Sequence, residues 1–189
     1  KFKQTCDGLL FNKNLPIAFE SSKSSFTLSD KDNKAMAMET GIGQGKTLVS
    51  PLHMAMIASA IDNDGILMRP YLVSLVQNDS GVQVTGNTPQ EYGRLMTEKE
   101  TALLQKYMRA VVTEGTAAKL SGQSYEAAGK TGTAQVSDTS DTTNAWFVGY
   151  AKKNGYQDIA VAVVVEKSGA GSTYAVPIAK KIFDVYFNR

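Results

Sequence analysis

Three consecutive segments in the second half of the chain have the residue pattern of β-strands. They cover residues 127–135, 146–151 and 159–166. A polar loop over residues 137–144, which we expect to be exposed, separates the first two, and a Lys-Lys-Asn-Gly turn at 152–155 joins the last two. With the helices described below, these strands predict an α/β (α+β) fold in which helices flank an antiparallel sheet.

The composition of the strands also predicts where they lie in the sheet. Residues 159–166 (IAVAVVVE) are apolar on both faces, which is typical of a central strand. Residues 127–135 come first of the three and are expected at an edge. Unpaired backbone amides at such an edge can bind an extended peptide as an added strand.

Helix signals dominate the first half of the chain. Ser50 is a good N-cap and Pro51 occupies the first position of a helix that stops at the Asp-Asn-Asp-Gly sequence at 62–65. This helix is small or apolar on nearly all sides, so we expect it to be buried. A weaker apolar period predicts a helix that begins near residue 1 and ends near residues 11–12.

Two further helices are amphipathic. Thr97 and Glu100 form a capping box for a helix over residues 95–113 that Gly115 ends, and a closing helix covers residues 172–188. The apolar stripe predicted for the first is Leu103, Leu104, Tyr107, Met108, Val111 and Val112. The residues of the second predicted to lie on the sheet are Ile178, Ile182, Phe183, Val185 and Tyr186.

The remaining segments complete the expected organisation. Residues 72–76 and 82–84 predict a hairpin, and residues 21–32 predict a polar loop. We therefore expect a mainly helical part over residues 1–120 and a part with sheet strands and the closing helix over residues 121–189.

Composition excludes several classes of function. The 189 residues, 42% of them hydrophobic, suffice for one sizeable core, and a net charge of +2 with interleaved signs argues against a nucleic-acid partner. Cys6 is the single cysteine and His53 the single histidine, so we expect no disulfide framework, no metal site and no cofactor. The longest apolar run is too short to span a membrane.

The strongest candidate for binding chemistry is the sequence Ala-Ala-Gly-Lys-Thr-Gly-Thr-Ala-Gln at 127–135. Lys130 supplies a point charge, Thr131 and Thr133 supply hydroxyl groups, and Gly132 leaves the backbone open to close approach. This combination favours an edge that binds an anion and an extended peptide. The alternative is an ordinary surface strand followed by a turn.

The sequence Gly-Ile-Gly-Gln-Gly-Lys-Thr at 41–47 resembles the end of a phosphate-binding loop. That loop requires a glycine where this chain has Thr40, a strand before it and a helix directly after Gly45, Lys46 and Thr47. We therefore interpret the segment as a tight glycine-rich turn, with a nucleotide site as the alternative.

His53 is the other residue type with catalytic potential. It lies in the first turn of the buried helix. We interpret it as a capping or packing residue, with catalysis as the less favoured alternative.

Several motifs together resemble a known family. Gly-Lys-Thr-Gly-Thr-Ala-Gln at 129–135, followed by Ala-Trp-Phe-Val-Gly-Tyr-Ala at 145–151, is similar to the C-terminal part of penicillin-binding protein transpeptidase domains. Gly-Ile-Gly-Gln-Gly at 41–45, Val-Ser-Pro-Leu-His-Met-Ala at 49–55 and Glu-Gly-Thr-Ala at 114–117 follow the family's order. The resemblance is strongest to the monofunctional class B enzymes.

This resemblance implies acyl transfer by a serine in a D,D-transpeptidase that cross-links peptidoglycan stem peptides ending in D-Ala-D-Ala and binds β-lactam antibiotics. Lys130 would be catalytic and would hold the hydroxyl of a Ser-x-Asn serine. Thr131 and Thr133 would bind the terminal carboxylate, Gly132 would keep the strand open, and the Thr133 amide would contribute to the oxyanion hole. The family also implies the extracytoplasmic face of the bacterial cell membrane, with an anchor outside this chain.

Two family motifs are missing. No serine lies three residues before a lysine, and none lies two residues before an asparagine. We therefore expect a C-terminal portion of a longer polypeptide, inactive alone, whose upstream part supplies the nucleophile and two of the family's five strands. Without that part, residues 159–165 would expose an apolar, unpaired edge. We expect a partner to cover this edge, or the chain to self-associate or aggregate through it.

Three other functions remain open. A non-catalytic sensor or binding module for β-lactams or peptidoglycan could use the same edge. A β-lactamase or D,D-carboxypeptidase would transfer the acyl group to water. A nucleotide-binding protein would use residues 41–47.

Overall fold

A three-stranded antiparallel sheet forms the C-terminal part of the computed structural model, which describes residues 1–29, 31–137 and 140–188. The side chains at 137, 140 and 141 are also left undescribed. The helices are α1 (Phe2–Gly8), α2 (Lys34–Gly41), α3 (Pro51–Asp62), α4 (Glu98–Thr113) and α5 (Gly171–Phe187), with a short 3-10 helix at Ala118–Leu120. The strands are β1 (Ile66–Met68), β2 (Leu75–Gln77), β3 (Gln83–Gly86), β4 (Glu91–Arg94), β5 (Glu126–Ser137), β6 (Ser140–Lys152) and β7 (Ile159–Val165).

The order of the large sheet is β5-β6-β7, with β6 in the centre. The prediction that β5 lies at an edge is confirmed. The prediction that β7 is central is wrong for the described residues, because β7 pairs with β6 alone. The side chains of β7 are apolar on both faces because α3 contacts one face and α5 the other. Burial of both faces by helices does not depend on whether a strand is central or at an edge of the sheet.

The polar segment between β5 and β6 was predicted to be an exposed loop over residues 137–144. Most of it belongs instead to the two strands, since β5 extends to Ser137 and β6 begins at Ser140. Residues 142–144 are half-buried, and residues 138 and 139 lie outside the described residues. These polar residues form strands because the hydrogen-bonded pairing of β5 with β6 continues beyond the buried core. The polar composition alone therefore did not indicate a loop correctly.

Helix α5 begins one residue before the predicted closing helix, but its buried face was predicted only in part. Phe183 is fully buried as expected, whereas Ile178, Ile182 and Val185 are 43%, 38% and 54% exposed. The other buried residues of α5 are Gly171, Ala175, Val176, Ala179 and Phe187. Small residues on this face let the helix lie close to the sheet, which hydrophobicity alone does not reveal.

Helix α3 covers the opposite face of the sheet. The Ser50 hydroxyl accepts a hydrogen bond from the backbone N–H of His53 at 3.2 Å, which confirms the predicted N-cap. Met56 and Ala60 of this helix share a buried cluster with Ala128 of β5 and Tyr150 of β6. The sheet is therefore held between helices, which fixes the direction of the β5 edge.

Helix α4 has the predicted capping box between Thr97 and Glu100. The predicted apolar stripe is confirmed in part. Leu103 and Tyr107 are exposed, whereas the other four predicted residues pack against the core: Leu104, Met108, Val111 and Val112. The polar residues Thr101 and Gln105 also face the protein, and the hydrophobic pattern did not indicate them.

The rest of the first half consists of short elements. The predicted hairpin corresponds to β2 and β3, whereas α2 and the pairing of β1 with β4 were not predicted. Predicted loop residues 21–29 and 31–32 form no helix or strand apart from one bridge between Ser25 and Leu48. Among the helices described, none combines the length and apolar character needed to cross a membrane.

Substitution Gly171→Ala should destabilise the fold, because α5 begins against the backbone of β5 and β6. A methyl group there would contact the carbonyl oxygen of Trp146 and lie 2.6 Å from that of Gly132. Backbone atoms cannot move aside as a side chain can, so we expect a loss of about 1–3 kcal/mol in the free energy of unfolding. Chemical denaturation would measure it, with Gly8→Ala in α1 as the control.

The control adds the same methyl group where no atom lies within 4 Å. Equal stability of Gly171→Ala and Gly8→Ala would contradict the close packing of α5 on the sheet.

Candidate functional site

The free edge of β5 is the centre of the candidate site. Alternate residues of a strand point their backbone groups to the same side. Three carbonyl groups on the outer side accept hydrogen bonds from side chains: Ala127 from Arg109 Nη1 at 2.8 Å, Thr131 from Lys130 Nζ at 2.7 Å and Thr133 from Gln44 Nε2 at 3.3 Å. In the described part of the chain no strand pairs with this edge. These three acceptors are therefore satisfied by side-chain donors that a bound strand could displace.

Lys130 is exposed at this edge. Its register partner is Val148 of β6, and its side chain lies on the face of β5 that α3 covers further along. None of the ion pairs of the described residues includes Lys130. Its ammonium group is therefore available to an anion that reaches the edge.

Thr131 and Thr133 project from the opposite face of β5. They alternate in the strand with Lys130, and Thr131 pairs in register with Phe147, which is buried against α5. The Thr131 hydroxyl lies 2.6 Å from the hydroxyl of Thr116. The structure thus places the ammonium on one side of the edge and the two hydroxyls on the other.

Gly132 lies between these groups and pairs with Trp146. A methyl group at this position would lie 3.1 Å from Cβ of Trp146, so a larger residue would press on the neighbouring strand. Because Gly132 has no side chain, the backbone between Lys130 and the two threonines is open to close contact. That the glycine permits close approach of a ligand stays a prediction.

An open groove of about 680 Å³ runs along the edge. Its walls are β5 residues 130–136 on one side and the turn over residues 42–45 on the other, with Trp146 and Met54 among the apolar lining residues. Polar groups at the strand and apolar side chains around them are typical of a site for a small ligand or an extended peptide.

The turn over residues 41–47 does not have the geometry of a phosphate-binding loop. It follows helix α2, and the next helix begins only at Pro51. The N–H groups of Gly43 and Gln44 donate to carbonyls of Thr40 and Glu39 at 3.1 and 2.9 Å, so they close α2 and do not surround an anion. Positive φ angles of 80° at Gly43 and 71° at Gly45 allow this tight turn.

His53 is not part of the groove. It is buried, and its Nε2 lies 2.7 Å from the carbonyl oxygen of Leu9, to which it donates as the neutral imidazole. Burial lowers the pKa of His53, which favours that neutral form. The interpretation of His53 as a packing residue is confirmed.

Sequence reasoning missed the contacts that other elements make with β5, among them those of Gln44 and Thr116. Gln44 and Thr116 both lie in segments that resemble the family, but their partners Thr133 and Thr131 are distant in sequence. No local pattern pairs such residues. Among the described residues, no cluster of three or more His, Cys, Asp or Glu side chains could hold a metal ion.

The fold and the site together define a class of protein. The family model described as "Penicillin binding protein transpeptidase domain" matches residues 1–184, so the chain belongs to the penicillin-binding protein transpeptidase family. The resemblance inferred from the motifs and the predicted fold class are both confirmed.

Particular relatives support this assignment. Penicillin-binding protein 3 of Bacillus subtilis is 31% identical over 181 residues, which cover 92% of this chain and 26% of the relative. Peptidoglycan D,D-transpeptidase PbpA of Mycolicibacterium smegmatis is 33% identical over 156 residues, covering 79% of this chain and 31% of the relative. The chain therefore spans about a quarter to a third of the length of these relatives.

A solved structure is similar over nearly the whole chain. Penicillin-binding protein A of Mycobacterium tuberculosis, in an acyl-enzyme complex with ceftriaxone, matches with a TM-score of 0.83 and 25% identity. The match covers 96% of this chain and 42% of that one.

Titration with ATP or GTP in the presence of Mg²⁺ should show no saturable binding. The amides of residues 42–44 already donate to carbonyls at the end of α2. Lys46 shares a cavity with the carboxyl-bearing side chains of Asp32 and Glu39, which repel phosphate. Calorimetry of wild-type protein and Lys46→Ala would check this. Saturable binding that Lys46→Ala abolishes would contradict our account of the turn.

Proposed function

We propose that this chain is the C-terminal portion of the transpeptidase domain of a peptidoglycan D,D-transpeptidase whose serine nucleophile lies outside residues 1–189. The observation that carries the proposal is the β5 edge, where Lys130, Thr131 and Thr133 border a groove beside outward-facing backbone groups. The names of the relatives and the absence of Ser-x-x-Lys from this sequence support it.

In the proposed reaction the upstream serine attacks the carbonyl group that precedes the terminal D-alanine of a stem peptide. The C–N bond to that D-alanine breaks, D-alanine leaves with a proton, and an ester to the serine forms. An amine of a second stem peptide then attacks the ester, and the serine recovers its proton. A β-lactam would acylate the same serine through its strained amide.

The residues of β5 would assist this reaction from one side of the site. In this proposal the outward N–H of Thr133 donates to the oxyanion, and the hydroxyls of Thr131 and Thr133 bind the terminal carboxylate. The Lys130 ammonium stabilises anions and holds the Ser-x-Asn hydroxyl. A peptide that adds to this edge needs the carbonyl groups of Thr131 and Thr133. Lys130 and Gln44 therefore withdraw from them when the peptide binds.

The proposed location is the extracytoplasmic face of the bacterial cell membrane, where peptidoglycan is assembled. The partners are stem peptides ending in D-Ala-D-Ala, β-lactams and the upstream part of the polypeptide. Nucleic acid is not among them, since the charge of +2 is spread over interleaved basic and acidic residues.

Fluorescent penicillin should label the full-length protein covalently and should not label residues 1–189 alone. In the full-length protein, Lys130→Met should lower the acylation rate about a hundredfold or more, because it removes the cation that faces the developing charge. Lys119→Met is the matched control, since Lys119 is exposed in the 3-10 helix away from the groove. Gel fluorescence over time gives the rates.

The outcomes separate the remaining functions. Labelling of the isolated chain would contradict an upstream nucleophile. Labelling of the full-length protein without transfer to an amine acceptor would favour a sensor, and rapid release of hydrolysed penicillin would favour a β-lactamase.

The proposal also assigns a role to two uncovered apolar surfaces. The outer edge of β7 is unpaired in the described residues, and α5 exposes Tyr174, Ile178, Ile182 and Val185 along one face. The β7 edge is the edge of the sheet opposite to β5. Helix α5 covers the face of the sheet opposite to the face that carries Lys130. The upstream part of the domain would cover both surfaces.

Residues 1–189 alone should associate or aggregate, because an apolar strand edge pairs with other chains. Light scattering should show this, and Ile178→Lys should reduce it while destabilising the full-length protein. Leu72→Lys, which replaces an exposed leucine outside this surface, serves as the control. A monodisperse, stable monomer of residues 1–189 would contradict the proposed cover.

A further inference from the structure

The turn after α4 presents a hydroxyl group to the candidate site. Oγ1 of Thr116 lies 2.6 Å from Oγ1 of Thr131, a distance typical of a strong hydrogen bond between hydroxyls. Thr116 belongs to the Glu-Gly-Thr-Ala segment at 114–117, to which neither the sequence motifs nor the proposed reaction assign a role.

The backbone on both sides of Thr116 is fixed. Gly115 packs so closely that a methyl group there would lie 2.9 Å from the carbonyl oxygen of Val111. Ala117 is fully buried, and its N–H donates to the same carbonyl at 3.0 Å. Thr116 is thus held between two anchored residues, and its hydroxyl is aimed at β5 before any ligand binds.

The direction of the hydrogen bond follows from the chemistry of the ligand. An ionised carboxylate only accepts hydrogen bonds, so Thr131 must donate its hydrogen to it. The Thr131 oxygen then accepts from Thr116, and one arrangement of the two hydroxyl hydrogens remains. We propose that Thr116 is a positioning residue that orients the Thr131 hydroxyl toward a bound carboxylate and so favours carboxylate-ended ligands.

This inference rests on the proposed function, in which Thr131 binds the terminal carboxylate. A primary amide in place of the carboxylate both donates and accepts, so it can satisfy either orientation of the Thr131 hydroxyl. Loss of Thr116 therefore weakens binding of the carboxylate more than binding of the amide. A residue that only stabilised the fold would affect both ligands equally.

The test compares acylation of the full-length protein by a penicillin and by its carboxamide, each measured in competition with fluorescent penicillin. Thr116→Val, which keeps the shape and removes the hydroxyl, should slow acylation by the carboxylate about tenfold, the effect of weakening one hydrogen bond to a charged group. Acylation by the carboxamide should change less than about twofold. Thr116→Ser should restore the carboxylate rate.

Thr113→Val is the matched control. Thr113 lies at the same end of α4, but its hydroxyl donates to the Arg109 carbonyl of its own helix at 3.4 Å. It should leave both rates unchanged.

Each other outcome overturns a different statement. Equal slowing of both ligands by Thr116→Val, or no slowing of either, would overturn the positioning role and leave the proposed function intact. Failure of penicillin to label the wild-type protein would overturn the proposed function, and this inference with it.

Discussion

The structure depends on how the outer edge of β5 satisfies its backbone carbonyls. A strand edge without partners is exposed to pairing with other chains, yet a peptide-binding edge must remain open. Here Arg109 of α4, Lys130 of β5 itself and Gln44 of the glycine-rich turn donate to alternate carbonyls along that edge. Because each donor is a side chain, each contact can be exchanged for a bond to a ligand at low cost. Helix α4 and the glycine-rich turn therefore lie beside the β5 edge, where their side chains reach its carbonyl groups.

The inner side of β5 is held rigidly, which gives the outer side a fixed direction. Its backbone pairs with β6 along the strand, and the first residue of α5, Gly171, lies against the backbone of Gly132. Gly129 also has no room for a side chain, since a methyl group there would contact the ring of Phe147 and lie 2.8 Å from the carbonyl oxygen of Val148. Rigid support of this kind keeps Lys130 and Thr131 in place before a ligand arrives, so binding does not have to order them.

Local sequence signals predicted local structure well. The caps at Ser50 and Thr97 and the strands on both sides of the 152–155 turn were predicted because their causes lie within a few residues. Contacts between distant residues, such as that of Thr116 with Thr131, could not be predicted, since nothing in either segment specifies its partner. The buried face of α4 was predicted only in part for a related reason. Its polar residues Thr101 and Gln105 turn inward to bond with backbone carbonyls, which a hydrophobic pattern cannot indicate.

Two predictions placed residues in the interior that the structure shows at the surface, and both have the same explanation. The sequence pattern of β7 predicted a central strand, and that of α5 predicted burial of Ile178 and Ile182, yet in the described residues β7 is an edge strand and these side chains are exposed. A helix with apolar residues on opposite faces is typical of one covered on both sides. The chain spans 42% of the solved protein that it matches. In the proposed function this chain is one portion of the domain, and upstream residues would cover the β7 edge and these side chains of α5. In the proposed function Lys130 holds a Ser-x-Asn hydroxyl that this sequence does not contain, and in this structure its ammonium group bonds to the carbonyl of Thr131 in its own strand instead.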